Sequence, residues 1–109
     1  MAYIITINKP LENHLHTVIE QMIELGAPTI RVVFDGQNYF ALEGSHRVAA
    51  AEILGLTPEL EIMELDEIMK HDISNDNLTQ WTEATVGEIF EATWGNGYSN
   101  NPMYWFDEL

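Results

Sequence analysis

The residues of this chain best suited to chemistry lie in one pentapeptide, Glu43-Gly44-Ser45-His46-Arg47. An apolar run from Tyr39 to Leu42 leads into it, and a compact series of Val, Ala, Ile and Leu leaves it and continues to Gly55. That order reads as strand, sharp turn, helix. A helix starting here leaves the N–H groups of Ser45, His46 and Arg47 without intrahelical partners. Its dipole adds about half a positive charge at the same place. Gly44 would let an oxyanion approach the backbone closely. Ser45 would offer its N–H and hydroxyl, and Arg47 a planar fork for phosphate oxygens. His46 would hydrogen-bond the same anion and change charge near neutral pH. Such a helix start suits a phosphate or carboxylate. Glu43 is the nearest carboxylate, placed to act as a base or to hold Mg²⁺ through water. The same residues also admit a structural reading. Gly44 then only makes the turn, Ser45 caps the helix, Glu43 is a strand-end charge, and His46 and Arg47 are solvated.

Composition favours the first reading. The chain has four Lys plus Arg against eighteen Asp plus Glu, a net charge of −14. A cation beside a histidine, where a helix already repels cations, runs against both composition and dipole. The same charge argues against direct nucleic-acid binding, which draws most of its affinity from Lys and Arg on phosphates. With no cysteine in the chain, disulfides, thiolate nucleophiles and thiolate metal sites are excluded. A hydrophobic share of 46% within 109 residues predicts one folded domain with a modest core. No apolar run approaches the length of a membrane span, and the first residues lack a basic stretch followed by an apolar one. The expectation is a soluble cytoplasmic protein without membrane contact.

The elements that must hold the pentapeptide follow from periodicity. Tyr3 to Ile7 is β-branched and reads as a strand broken by Asn8-Lys9-Pro10. A helix should follow, ending near Leu25, with Leu11, Leu15, Val18, Met22 and Leu25 on one face and Gly26 and Pro28 as its stop. His14 and His16 lie on it but two residues apart, so they do not share a face and make a poor metal pair. Thr29 to Phe34 predicts a strand with Ile30, Val32 and Phe34 on one side and Arg31 and Val33 on the other. Arg31 is either a sheet-surface charge or a second cation for the same anion. Asp35-Gly36 begins a tight connection, and Tyr39 to Leu42 returns antiparallel. After the pentapeptide, Val48, Ala50, Ala51, Ile53 and Leu54 make a helix that sits close to the sheet, closed by Gly55, Leu56 and Pro58. Glu59 to Leu65 predicts a half-exposed edge strand.

Beyond Leu65 the pattern changes. Asp66 is expected to cap a short helix through Met69, and Asp72 to Asn77 is a polar loop. Asp72, Ser74, Asp76, Gln80 and Glu83 have spacings like a calcium loop, but Asn77 stands where the turn glycine belongs. Thr85-Val86-Gly87-Glu88 resembles a capping box, followed by the helical face Val86, Ile89, Phe90, Thr93 and Trp94. Most of the aromatics lie after residue 77. This half is expected to cover the first half, to pair with a second copy as a homodimer, or to hold a protein partner.

Glu43-Gly44-Ser45-His46-Arg47, followed by an alanine-rich helix ending Leu54-Gly55-Leu56, resembles the motif of the ParB/sulfiredoxin-like domain, also labelled ParB-like nuclease. The likeness spans roughly residues 3–65, in the order strand, helix, strand hairpin, motif helix, strand. It implies an α+β fold, a small mixed sheet with helices, with residues 1–65 as a nucleotide-binding core and 66–109 as a helical, aromatic C-terminal extension. In ParB proteins a Gly-Glu-Arg-Arg motif holds the triphosphate of CTP; in sulfiredoxins a Gly-Cys-His-Arg motif holds ATP phosphates; related ADP-dependent serine kinases place a His-Arg pair here. By that resemblance Gly44, Ser45, His46 and Arg47 would hold the phosphates of ATP, ADP or CTP, with Mg²⁺ and with NTP hydrolysis or phosphoryl transfer as the chemistry. Ser45 stands where sulfiredoxin has its Cys, so sulfinic-acid reduction is excluded. No helix-turn-helix segment follows, which excludes a chromosome-partition protein. The alternative is a non-catalytic, acidic interaction module that uses Asn101-Pro102-Met103-Tyr104-Trp105-Phe106 as its contact segment.

Overall fold

A computed structural model describes the backbone of residues 1–72 and 81–109. The chain runs β1 (Ala2–Ile5), α1 (Glu12–Leu25), β2 (Thr29–Phe34), β3 (Tyr39–Ala41), α2 (Ser45–Leu54), β4 (Glu59–Ile62), β5 (Ile68–Asp72), β6 (Trp81–Thr85), α3 (Val86–Trp94) and β7 (Met103–Phe106). It is an α+β fold. Five strands form a mixed sheet in the order β4-β2-β3-β1-β7, and β5 and β6 form a separate antiparallel pair. β1 runs parallel to β3, and β2 parallel to β4; β2–β3 and β1–β7 are antiparallel.

Both faces of the sheet are covered. On one, Ile4, Ile30, Val32, Ala41 and Phe106 pack against Met22 of α1 and Val48, Ala50 and Ala51 of α2, with Leu15, Val18 and Ile19 half-buried alongside. The alanines of α2 have no bulk beyond Cβ, so the helix lies against the strands. On the other face, Ile5, Val33, Phe40 and Leu42 meet Val86 and Trp94 of α3. Phe40 is the hub, with ring centroids 5.0 Å from Phe90, 5.2 Å from Trp94 and 5.2 Å from Tyr98, all edge-on. Removing so buried a ring costs about 3–5 kcal/mol in comparable cores.

Local signals place most of these elements. The carboxylate of Asp35 accepts the N–H groups of Gln37 and Asn38, both at 2.8 Å, which closes the β2–β3 turn. α2 ends as expected: Gly55 is left-handed at φ 70°, and the Leu56 N–H donates to Ala51 O at 2.9 Å. β4 lies at the sheet edge with Glu59 and Glu61 exposed.

Three expectations need correction. No helix runs from Asp66 to Met69; Leu65 and Asp66 make a turn closed by the Glu67 N–H donating to Glu64 O at 3.1 Å, and β5 begins at Ile68. Phe34 is exposed rather than buried beside Ile30 and Val32, and stacks on Tyr39 at 4.6 Å. Val33 is buried, because β2 has helices on both sides and its two faces are both core. The C-terminal segment also contributes a strand, β7, which pairs with β1 from Ala2↔Phe106 to Ile5↔Met103. Of the polar loop and the calcium-like spacing, residues 73–80 lie outside the described residues, and Asp72 and Glu83 fall in strands β5 and β6. No helix among the described residues is long and apolar enough to cross a membrane.

Candidate functional site

β3 ends at Ala41, and Leu42 extends its pairing through an N–H donated to Arg31 O at 2.9 Å. The chain must then turn onto the sheet face within two residues. Gly44 makes that turn at φ 77° and ψ 35°, a left-handed conformation that costs other residues about 1–2 kcal/mol. A Cβ on Gly44 would lie 3.1 Å from both Arg47 Nη2 and Ile30 Cδ1, so space as well as torsion selects glycine. The first α2 bond is Val48 N–H to Gly44 O at 3.0 Å. No side chain caps this terminus, and no acidic residue lies in its first turn. Among the described residues the amides of Ser45, His46 and Arg47 have no hydrogen-bond acceptor.

The side chains of that turn are engaged with their neighbours. Ser45 Oγ accepts the Asn8 N–H at 3.2 Å. His46 Nε2 accepts the Leu11 N–H at 2.9 Å, which assigns its proton to Nδ1 and fixes it as the neutral imidazole. Partial burial lowers the His46 pKa, and His14 beside it lowers it further. The two imidazoles stack with centroids 4.3 Å apart and planes 23° apart. Ser45 and His46 therefore tether the β1–α1 connection to the start of α2.

Arg47 Nη1 donates to Thr29 O at 3.1 Å, and Nη2 lies 3.5 Å from Glu43 Oε1. Glu43 also faces Arg31 Nε at 3.9 Å, and Arg31 in turn faces Glu61 at 3.8 Å. These groups are each about two-fifths or more exposed, so solvent screens the pairs and each contributes little to stability. Arg31 takes the sheet-surface role. Glu43 sits between two guanidiniums, where an incoming anion would compete with it.

The turn opens on a cleft of about 860 Å³, bounded by the first turn of α2, the side of α1 and residues 26–28. Glu43, Gly44, Ser45, His46 and Arg47 all line it, as do Asn8 and His14. Its far wall is apolar: Val18, Met22, Leu25 and Pro28, with Gln21 among them. Arg31 and His16 do not line it. Sequence reasoning missed His14 and this wall, although His14, Val18, Gln21 and Leu25 recur at spacings of four, three and four, a single helix stripe. The described residues contain no group of three or more His, Cys, Asp or Glu able to hold a metal. Compared with known proteins, the chain matches no protein-family model, no curated protein and no solved structure.

Proposed function

We propose that this chain is a ParB/sulfiredoxin-like domain that binds a nucleotide, ATP, ADP or CTP, with its phosphates against the first turn of α2. The observation that carries the reading is the set of three open amides behind a left-handed Gly44, facing a cleft long enough for more than a phosphate. Arg47 lies beside the amides and, among the described residues, would leave an exposed carboxylate and one carbonyl. The apolar wall of α1 would take the base. The Ser45 hydroxyl accepts from Asn8, so its own proton remains free for a phosphate oxygen. His46 would contribute through Nδ1–H, because Nε2 is occupied. Mg²⁺ would arrive with the phosphates and neutralise their charge. Glu43, the one carboxylate of the pentapeptide, would serve as the base for hydrolysis or phosphoryl transfer.

Thermal melting with ATP, ADP, CTP and inorganic pyrophosphate, each with Mg²⁺, tests this. A ligand at about one hundred times its Kd stabilises by about 2.7 kcal/mol. At least one nucleotide should raise Tm, and Arg47→Ala should abolish the rise while leaving the circular dichroism of the free protein intact. Glu43→Gln removes the competitor for Arg47, so binding should tighten; any NTP turnover should fall in the same variant if Glu43 is the base. Unchanged melting with all four compounds would sink the reading.

A further inference from the structure

The two edges of the main sheet are built differently. β4 follows Pro58 and exposes Glu59 and Glu61, the usual means of keeping an edge from pairing with another chain. β7 reads Met103-Tyr104-Trp105-Phe106, with no charge, no proline and no bulge within it. Among the described residues, β1 is its only strand partner. The Thr6 N–H donates to Pro102 O at 3.0 Å, which sets the alternation along the pair. Tyr104 and Phe106 therefore bond to β1, and the N–H and C=O groups of Met103 and Trp105 point away from the sheet.

The side chains around this open edge divide into two faces. On one, Trp105 packs edge-on against Tyr3 at 4.8 Å, and Tyr3, Met103 and Trp105 remain 38%, 40% and 43% exposed. On the other, Tyr104 lies by α2, where burial and the Glu52 carboxylate hold its phenol above the usual range. A pocket of about 210 Å³ lies between the end of α2 and the end of β7, lined by Glu52, Leu56, Trp105, Asp107 and Glu108 among others. Trp105 joins the two: it packs on Tyr3, reaches the rim of the acidic pocket, and donates its Nε1–H to Asp107 Oδ1 at 2.6 Å.

We propose that β7 is a strand-addition site for an extended basic segment of a partner protein. Such a segment would pair its backbone with Met103 and Trp105. It would lay alternate apolar side chains on Tyr3, Met103 and Trp105, and turn lysine or arginine toward Glu52, Asp107 and Glu108. Charge selects the occupant. A second copy would bring another net −14 against the same carboxylates, whereas a basic strand neutralises them. This site lies apart from the cleft and does not depend on nucleotide binding.

Fluorescence polarisation with a labelled peptide of alternating lysine and valine tests the proposal. The peptide should bind and weaken with salt. The same peptide with alternate backbone amides N-methylated should lose about tenfold or more in affinity, since main-chain hydrogen bonds supply strand-addition affinity. Glu52→Lys and Glu108→Lys, both at exposed positions, should weaken the parent peptide with Tm unchanged, and Arg47→Ala should bind it as the wild type does. Three results would overturn the idea: no binding, equal binding of the N-methylated peptide, or a dimer in sedimentation that Trp105→Lys returns to monomer. The last would give the edge to a second copy.

Discussion

Two helices in this protein begin in opposite ways. α3 closes its own N-terminus: Thr85 Oγ1 accepts the Glu88 N–H at 3.1 Å, and Glu88 Oε1 accepts the Thr85 N–H at 3.1 Å. Two donors are satisfied reciprocally, and a carboxylate sits in the positive end of the dipole. The Thr85 N–H and the Thr85 hydroxyl, both donated to Oε1, hold the Glu88 carboxyl below its ordinary range. α2 does none of this. Its cap position is a left-handed glycine, it has no acid in the first turn, and its polar side chains turn outward to residues 8 and 11. A chain able to write a capping box at residue 85 has left the corresponding donors open at residue 45, beside a cleft. A terminus whose only task is to start a helix looks like α3. α2 retains the donors that an anion would use.

The largest expected effect is from Gly44→Ala. It should destabilise the fold by about 2 kcal/mol, from the left-handed torsion and the crowding of Arg47 and Ile30, and should remove any nucleotide-induced rise in Tm. Urea denaturation with and without ligand measures both; unchanged stability would mean that the turn is not held as described. Thr85→Ala should cost about 1 kcal/mol and leave ligand response untouched, because Thr85 does not line the cleft. If Thr85→Ala altered ligand response as much as Gly44→Ala, the contrast between the two termini would lose its functional meaning.

Signals confined to a few neighbouring residues were the legible ones. Thr85 to Glu88, Gly44 as a turn into a helix, and Gly55-Leu56 as a helix stop are all fixed by torsions and hydrogen bonds within one turn. The pentapeptide does line one cleft together. What the sequence could not disclose depends on partners far along the chain. β7 is a strand because β1 lies beside it, and nothing within Met103 to Phe106 names a partner about a hundred residues away. The burial of Val33 follows from α3 covering the second face of the sheet, which simple alternation cannot register. The sequence presents His46 as a phosphate donor; its pairing with the Leu11 N–H and its stacking on His14 arise only when α1 packs on α2. The turn from Asp66 into β5 is a similar case, since β5 is held by β6.

The smallest effect is also the one that bears most directly on whether the α2 terminus is a site. His46 is held below its ordinary value of 6.5, by burial first and His14 second, with the Leu11 N–H using its Nε2 lone pair. The unfolded chain therefore takes up this proton before the folded one. Stability from this group is complete above the ordinary value and is lost as pH falls through it toward the lowered folded value. Denaturation midpoints measured across that window should fall with acidity in the wild type and less so in His46→Gln. A phosphate on the neighbouring amides would favour the imidazolium and raise the His46 pKa, so bound ligand should reverse or flatten the slope. A capping role alone predicts the same slope with and without ligand. Two pH series, one with saturating pyrophosphate and one without, therefore separate a histidine that only ties α1 to α2 from one that also faces an anion.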